Sequence, residues 1–326
     1  MMLLAGVAAL VAGCSGSGSV GAARSAPTAS SLPAAPGPDP AGTPGPTTVL
    51  AAPVVSPPPA ASGPPYRLTS TVIPLVDTHR PTVTQGTVVA PTRALTTLVW
   101  APSAPGRRPL VVFAHGFQVG PGPYTAMLKA WAAHGYVVAA PRFPLTDETV
   151  AGANLDESDL SNEPADLRFV IDALIGPTSP TALRIDPARV AVAGHSDGAE
   201  AALAASVAPV SLGQPRIRAV MAMSVSPVSD GATLANPPAL VTQGDDDSIN
   251  AFEEGQRTYG QVVGPKYFLD LLGGEHLAPL EAGSAWLPTV TRVTEDFVDL
   301  YVAGGGSASR LIADANHAPL TSLRVG

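Results

Sequence analysis

One cysteine in 326 residues excludes an internal disulfide, so a chain of this length must be held by a packed core rather than by covalent staples. Charge is scarce as well. Charged residues make up 13%, the net charge is −8, and no cluster of Lys or Arg occurs, which excludes a basic nucleic-acid-binding protein. No Gly-x-Gly-x-x-Gly follows a strand pattern, so no nucleotide is implied. The dense acidic stretch Asp245-Asp246-Asp247 lacks the alternating ligand spacing of a calcium loop. No metal and no other cofactor is expected, and no internal repeat is present.

What is abundant is distributed unevenly. Pro (36) and Gly (32) are both high, and the Pro excess lies early in the chain. Met1 to Val11 is an apolar run too short to span a bilayer, and it leads into Val11-Ala12-Gly13-Cys14. Small residues before a cysteine at the end of such a run resemble a bacterial lipobox, in which the cysteine is lipidated and becomes the mature N-terminus. No Lys or Arg precedes the run, a departure from the charged start of a signal peptide. From Ser15 to about Pro65 the chain is Ala, Pro, Gly, Ser and Thr, with Arg24 and Asp39 the only charges. Such a segment cannot bury enough apolar surface to offset its ordering entropy, and it reads as a tether. The expected organisation is a signal peptide over 1–14, a tether over 15–65 and a catalytic domain over 66–326. The expected location is extracytoplasmic, anchored to the cell membrane through Cys14, with a secreted protein as the alternative.

From Tyr66 onward apolar runs alternate with helical patterns, the signature of an α/β fold with a mostly parallel sheet and helices on both faces. Tyr66 to Trp100, rich in Thr and Val and broken by Pro and Gly, suits antiparallel strands. Pro109 to Ala114, Tyr136 to Ala140, Val190 to Ala193, Ala219 to Met223, Ala239 to Thr242 and Tyr267 to Leu272 read as strands. Helices are expected at Tyr124 to His134, from Pro164 to Gly176, at Ala199 to Val207 and at Val290 to Val302, the last broken by Gly304-Gly305-Gly306.

Gly194-His195-Ser196-Asp197-Gly198 lies between one of these strands and an Ala-rich helix, the setting of a nucleophile elbow. A serine hydroxyl is a poor nucleophile and needs a base oriented by a third group. Chain order Ser, acid, His places the acid after the strand at Ala239 and the base after the strand at Tyr267. Three adjacent carboxylates follow the first. Spacing from Gly244 favours Asp247, with Asp245 next, and Asp246 stays open. His276 follows the second strand and is preferred as base over His79, His115, His134 and His317, while His195 is expected to point away from the site. An oxyanion hole needs two backbone donors. The N–H of Asp197 is one candidate; Phe117, after His115-Gly116, is the other, ahead of Gln118.

The stretch from Asp77-Thr78-His79-Arg80-Pro81 through Trp100, then PLVVFAHGF, YTAMLKAWAAHGYVVAAPRFP, the helix from Asn162 to Ile175 and GHSDG resembles bacterial serine hydrolases related to platelet-activating-factor acetylhydrolase. Chlorophyllases and cutinase-like polyester hydrolases are similar in the same way. The resemblance implies an α/β-hydrolase fold and an ester hydrolase with Ser196, Asp247 and His276 as nucleophile, acid and base and with Phe117 and Asp197 as the oxyanion hole; a monomer acting on a small-molecule or polymeric ester is expected. The alternatives are an anchored binding lipoprotein that keeps the fold without catalysis, and an amide or thioester hydrolase. Two departures carry expectations. Asp197, where such enzymes often have a neutral or basic side chain, places negative charge near a developing oxyanion and should disfavour anionic esters. Ser224 to Pro238 is too short for a helical cap, so the site should be open.

Overall fold

The computed structural model describes residues 65–177, 179, 183–207, 217–225, 234 and 237–326. Cys14, the tether and most of the Ser224 to Pro238 segment lie outside them, so the anchor and the uncovered site remain expectations.

The chain enters through β1 (Leu68–Asp77) and β4 (Arg93–Pro102), an antiparallel pair in register from Leu68↔Pro102 to Asp77↔Arg93. Between them β2 (Thr82–Thr84) and β3 (Thr87–Ala90) form a separate hairpin. β4 then pairs antiparallel with β6 (Val137–Pro141). From there the sheet runs parallel through β5 (Arg108–Ala114), β7 (Ile185–His195), β8 (Ile217–Met223), β9 (Ala239–Gly244) and β10 (Lys266–Leu271). β11 (Thr321–Val325) closes the far edge antiparallel to β10, giving the order β1-β4-β6-β5-β7-β8-β9-β10-β11.

Period-2 geometry explains why the central strands read as unbroken apolar runs. On β5, Leu110, Val112 and Ala114 enter one core while Val111 and Phe113 enter the other. The first core is covered by α3 (Glu163–Ile175), through Leu167, Val170, Ile171 and Leu174, together with α4 (Asp197–Ser206) and α5 (Phe252–Gln261). The second is covered by α1 (Thr125–His134), through Met127, Leu128 and Trp131, together with α6 (Leu287–Val298) and α7 (Ala308–Ala315). A short helix, α2 (Glu148–Ala151), precedes α3. The helix expected to run from Val290 to Val302 is α6 continued by a π-helical turn, Asp299–Ala303, which stops at Gly304 with φ +77°. Among the described residues no helix is long and apolar enough to cross a membrane.

Two polar clusters tie the layers together. Arg93, at the start of β4, is 1% exposed and grips two buried carboxylates. Its Nη atoms donate to Asp159 at 2.9 and 2.6 Å, and its Nε and Nη2 donate to Asp166 at 2.6–2.9 Å. Arg80 bridges the same cluster, 2.6 Å from Asp77 and 2.7 Å from Asp166, which gives the Asp77-Thr78-His79-Arg80 stretch a structural role.

The second cluster is His134, at the C-terminal turn of α1, with Asp299 at 3.0 Å and Glu295 at 3.3 Å. Burial opposes its charge, but hydrogen bonds to Asp299 and Glu295 outweigh it and raise its pKa from 6.5 to about 9. A raised folded-state pKa means that the stabilisation is complete below 6.5 and is lost as pH rises through about 9. Urea unfolding should show wild type gaining about 2 kcal/mol over His134→Gln near pH 6, a gain that disappears by about pH 10. A pH-independent difference between the two proteins would refute the charge-based account.

Candidate active site

The Gly194 to Gly198 stretch forms a tight turn from strand to helix. Ser196 sits between β7 and α4 with φ +57° and ψ −128°, a conformation that costs a non-glycine residue of order 1–3 kcal/mol. The flanking glycines are there for space. A Cβ on Gly194 would collide with the Gly198 carbonyl, and one on Gly198 with the carbonyls of Ala114 and His115. Ser196 is 9% exposed, and its hydroxyl has no hydrogen-bond partner among the described residues.

His276, Asp247 and Ser196 come from loops at the carboxyl ends of β10, β9 and β7, where open α/β sheets place their sites. His276 Nδ1 lies 2.8 Å from Asp247 Oδ2. The same carboxylate accepts from Gln243 Nε2 at 3.0 Å and from the N–H groups of Ile249 and Asn250 at 2.9 Å. Burial penalises the charge of Asp247, but the bond from His276 and the backbone donors prevail and lower its pKa. The two neighbouring aspartates are exposed. Asp245 accepts from the Gly273 N–H and so pins the loop that carries His276, while Asp246 makes no side-chain hydrogen bond to a described residue. The two loops meet closely: a Cβ on Gly244 would collide with the Gly274 carbonyl.

His195 does not point away. Its Nε2 is 2.9 Å from the His276 carbonyl, its Nδ1 is 2.9 Å from Tyr124 Oη, and its ring lies 4.6 Å from that of His276. Burial first, and the charge of His276 second, lower its pKa to about 3, so the ring is neutral. A carbonyl can only accept, so Nε2 carries the proton and Nδ1 accepts from the tyrosine hydroxyl. Tyr124 in turn receives the Gly116 N–H at 3.4 Å. One chain of hydrogen bonds thus joins the loop after β5, the elbow and the loop after β10. Ser224, with φ +45°, also donates to the His276 carbonyl, at 3.1 Å, and its own carbonyl accepts from Asn250 Nδ2 at 2.8 Å. Tyr124, Gln243, Asn250 and Ser224 have no motif of their own that could have marked them.

In the loop after β5, Gln118 has φ +63° and its N–H is committed to the Thr146 carbonyl at 2.8 Å. The Phe117 N–H donates to no described residue. The N–H of Asp197 is the first of α4. Beneath the loop, Thr146 donates to Glu163 at 2.6 Å, and burial pushes the Glu163 carboxyl well above the usual range. His115, neutral because burial lowers its pKa to about 4, braces the loop between the Gly116 carbonyl at 2.9 Å and the Phe143 N–H at 3.2 Å. Ser196, His276, Phe117 and Asp197 all line a cleft of about 1200 Å³.

The sheet order and the strained turn at Ser196 define an α/β hydrolase. More narrowly, the chain belongs to the chlorophyllase family, whose model matches residues 73–250. That stretch contains Ser196 and Asp247 and ends before His276. Membership identifies the chain as an ester hydrolase. No curated protein matches it. Among 1290 matching solved chains is a ferulic acid esterase from Streptomyces cinnamoneus. It is 22% identical, with a TM-score of 0.60 over 77% of this chain and 94% of that one, a likeness of fold.

Proposed function

We propose that the protein is a cofactor-free serine esterase, and that it works from outside the membrane on a lipid anchor at Cys14. Ser196 Oγ attacks the acyl carbon and gives its proton to His276 Nε2. The N–H groups of Phe117 and Asp197 hold the oxyanion, and the alcohol leaves with the proton from His276. Water, deprotonated by His276, then releases the carboxylic acid and restores Ser196. The observation that carries this reading is the bond from His276 Nδ1 to Asp247, which leaves Nε2 for the serine in the shared cleft. In this apo arrangement Ser196 and His276 are not hydrogen-bonded, as is common before substrate tightens such a site.

The three aspartates are separable by experiment. Asp247→Asn should lower kcat for a nitrophenyl ester by about 10⁴-fold, because the amide no longer orients and stabilises the charged imidazole. Asp246→Asn should stay close to wild type. Asp245→Asn, which loosens the Gly273 turn, should cost less than about tenfold. Equal losses for Asp245 and Asp247 would remove Asp247 from its role.

A further inference from the structure

We infer that this site selects esters bearing a positive charge near the scissile bond, an inference that rests on the serine-esterase reading. The cleft around Ser196 is lined by Glu157, Asp197, Glu200, Asp246, Glu275 and Glu281, and by no Lys or Arg among the described residues. These carboxylates come from separate parts of the chain: the turn before α3, the first turn of α4, and the loops after β9 and β10. They therefore converge on the cleft from four separate segments of the chain. The side chains of Glu157, Asp246, Glu275 and Glu281 form no ion pair or hydrogen bond with any described residue. Their charge is uncompensated locally, and that of Glu281 reaches Tyr124, where, behind the larger effect of burial, it helps to raise the hydroxyl pKa.

A second observation points into the same cleft. Ser196 is more than nine-tenths buried, has no partner for its hydroxyl and faces the cleft. Glu157, Asp246, Glu275 and Glu281 are exposed, and a cleft lined by one sign of charge concentrates the opposite sign, raising association rates by 10–10³-fold at low salt. The same field opposes the oxyanion that must form on the acyl oxygen. A cationic group on the substrate offsets that opposition in the transition state, whereas an anionic group adds to it. Phe117, an aromatic residue of the kind that binds quaternary ammonium groups, also lines the cleft. Leu160, Ile249 and Leu277 supply apolar lining for the rest of the ester. Hydrolysis converts a neutral ester bond into a carboxylate, which the acidic lining then repels, favouring release of the acid product.

The test compares three butyrate esters on the full-length protein: the choline ester, its uncharged 3,3-dimethylbutyl isostere, and an ester of an anionic alcohol such as hydroxyethanesulfonate. At about 10 mM salt kcat/KM should favour choline over the isostere by about ten- to hundredfold, with the anionic ester slowest. At about 1 M salt, where the Debye length is near 3 Å, the spread should shrink several-fold. Combining Glu157→Gln, Asp246→Asn, Glu275→Gln and Glu281→Gln should bring the choline-to-isostere ratio close to one. Ser196-dependent turnover of the isostere without a choline advantage, or with an advantage insensitive to salt, overturns the charge inference and leaves the esterase reading intact. No turnover of any of the three, with no fluorophosphonate labelling, overturns both.

Discussion

Ser196→Ala is expected to lower kcat for a nitrophenyl ester by about 10⁶-fold and to abolish labelling by a fluorophosphonate. The loss is large because serine and histidine act as one unit: without the nucleophile the base has nothing to activate, and only the oxyanion donors and binding remain. The fold should not suffer. The hydroxyl has no hydrogen bond among the described residues, so its removal orphans no buried group. Alanine also meets the same backbone demand at φ +57° as serine does. Melting curves of the two proteins should superimpose within a few degrees, which separates lost chemistry from lost structure. A variant that folds and still labels would place the nucleophile elsewhere. A wild-type protein that never labels would instead favour an anchored binding protein on the same fold.

Arg93→Met should produce the largest stability loss, about 3–5 kcal/mol in denaturant unfolding. The side chain is 1% exposed and supplies five hydrogen bonds to Asp159 and Asp166, which are 1% and 0% exposed. Removing it takes the buried cation away from two buried carboxylates, leaving, among the described residues, Asp166 only its contact with Arg80 at 2.7 Å and Asp159 the amide of Asn162 at 2.8 Å. Burial already holds the Asp166 carboxyl above its usual range despite Arg93 and Arg80, so losing Arg93 must raise it further. A pKa raised in the folded state favours folding at low pH and disfavours it as pH rises through that value. The deficit of Arg93→Met should therefore narrow as pH falls from neutrality, and adding Asp159→Asn with Asp166→Asn should recover part of it. A deficit below about 1 kcal/mol would show that the cluster is solvated in the folded protein. Asp159 and Asp166 precede and begin α3, and α3 packs beside α4, so the elbow's helix should loosen along with the cluster.

How far the sequence reaches can be judged residue by residue. The central strands were legible because both of their faces are buried and they appear as unbroken apolar runs such as Leu110 to Ala114. α5 and β11 were not. Phe252 to Gln261 is mostly polar and touches the core through a few residues, among them Thr258 and Tyr259. Thr321 to Val325 is an edge strand held by backbone pairing to β10, which leaves no apolar run to read. His195 was misjudged for a related reason. Period-2 alternation says which face of β7 a side chain takes, but not that the loop after β10 folds back far enough to set the His276 carbonyl on its ring.

The sequence alone pointed to an elbow at Ser196, from Gly194-His195-Ser196-Asp197-Gly198 between a strand pattern and an Ala-rich helix; the structure adds that a Cβ on Gly194 or Gly198 would meet neighbouring carbonyls. The sequence also limited the acid to three adjacent residues and the base to one loop. Spacing from Gly244 already favoured Asp247; only tertiary structure shows that this is the carboxylate buried against Gln243 and the N–H groups of Ile249 and Asn250 while reaching His276. The charge of the cleft was likewise invisible in a chain of net charge −8. Carboxylates spread from Glu157 to Glu281 become one field only when the sheet brings their loops to the same end.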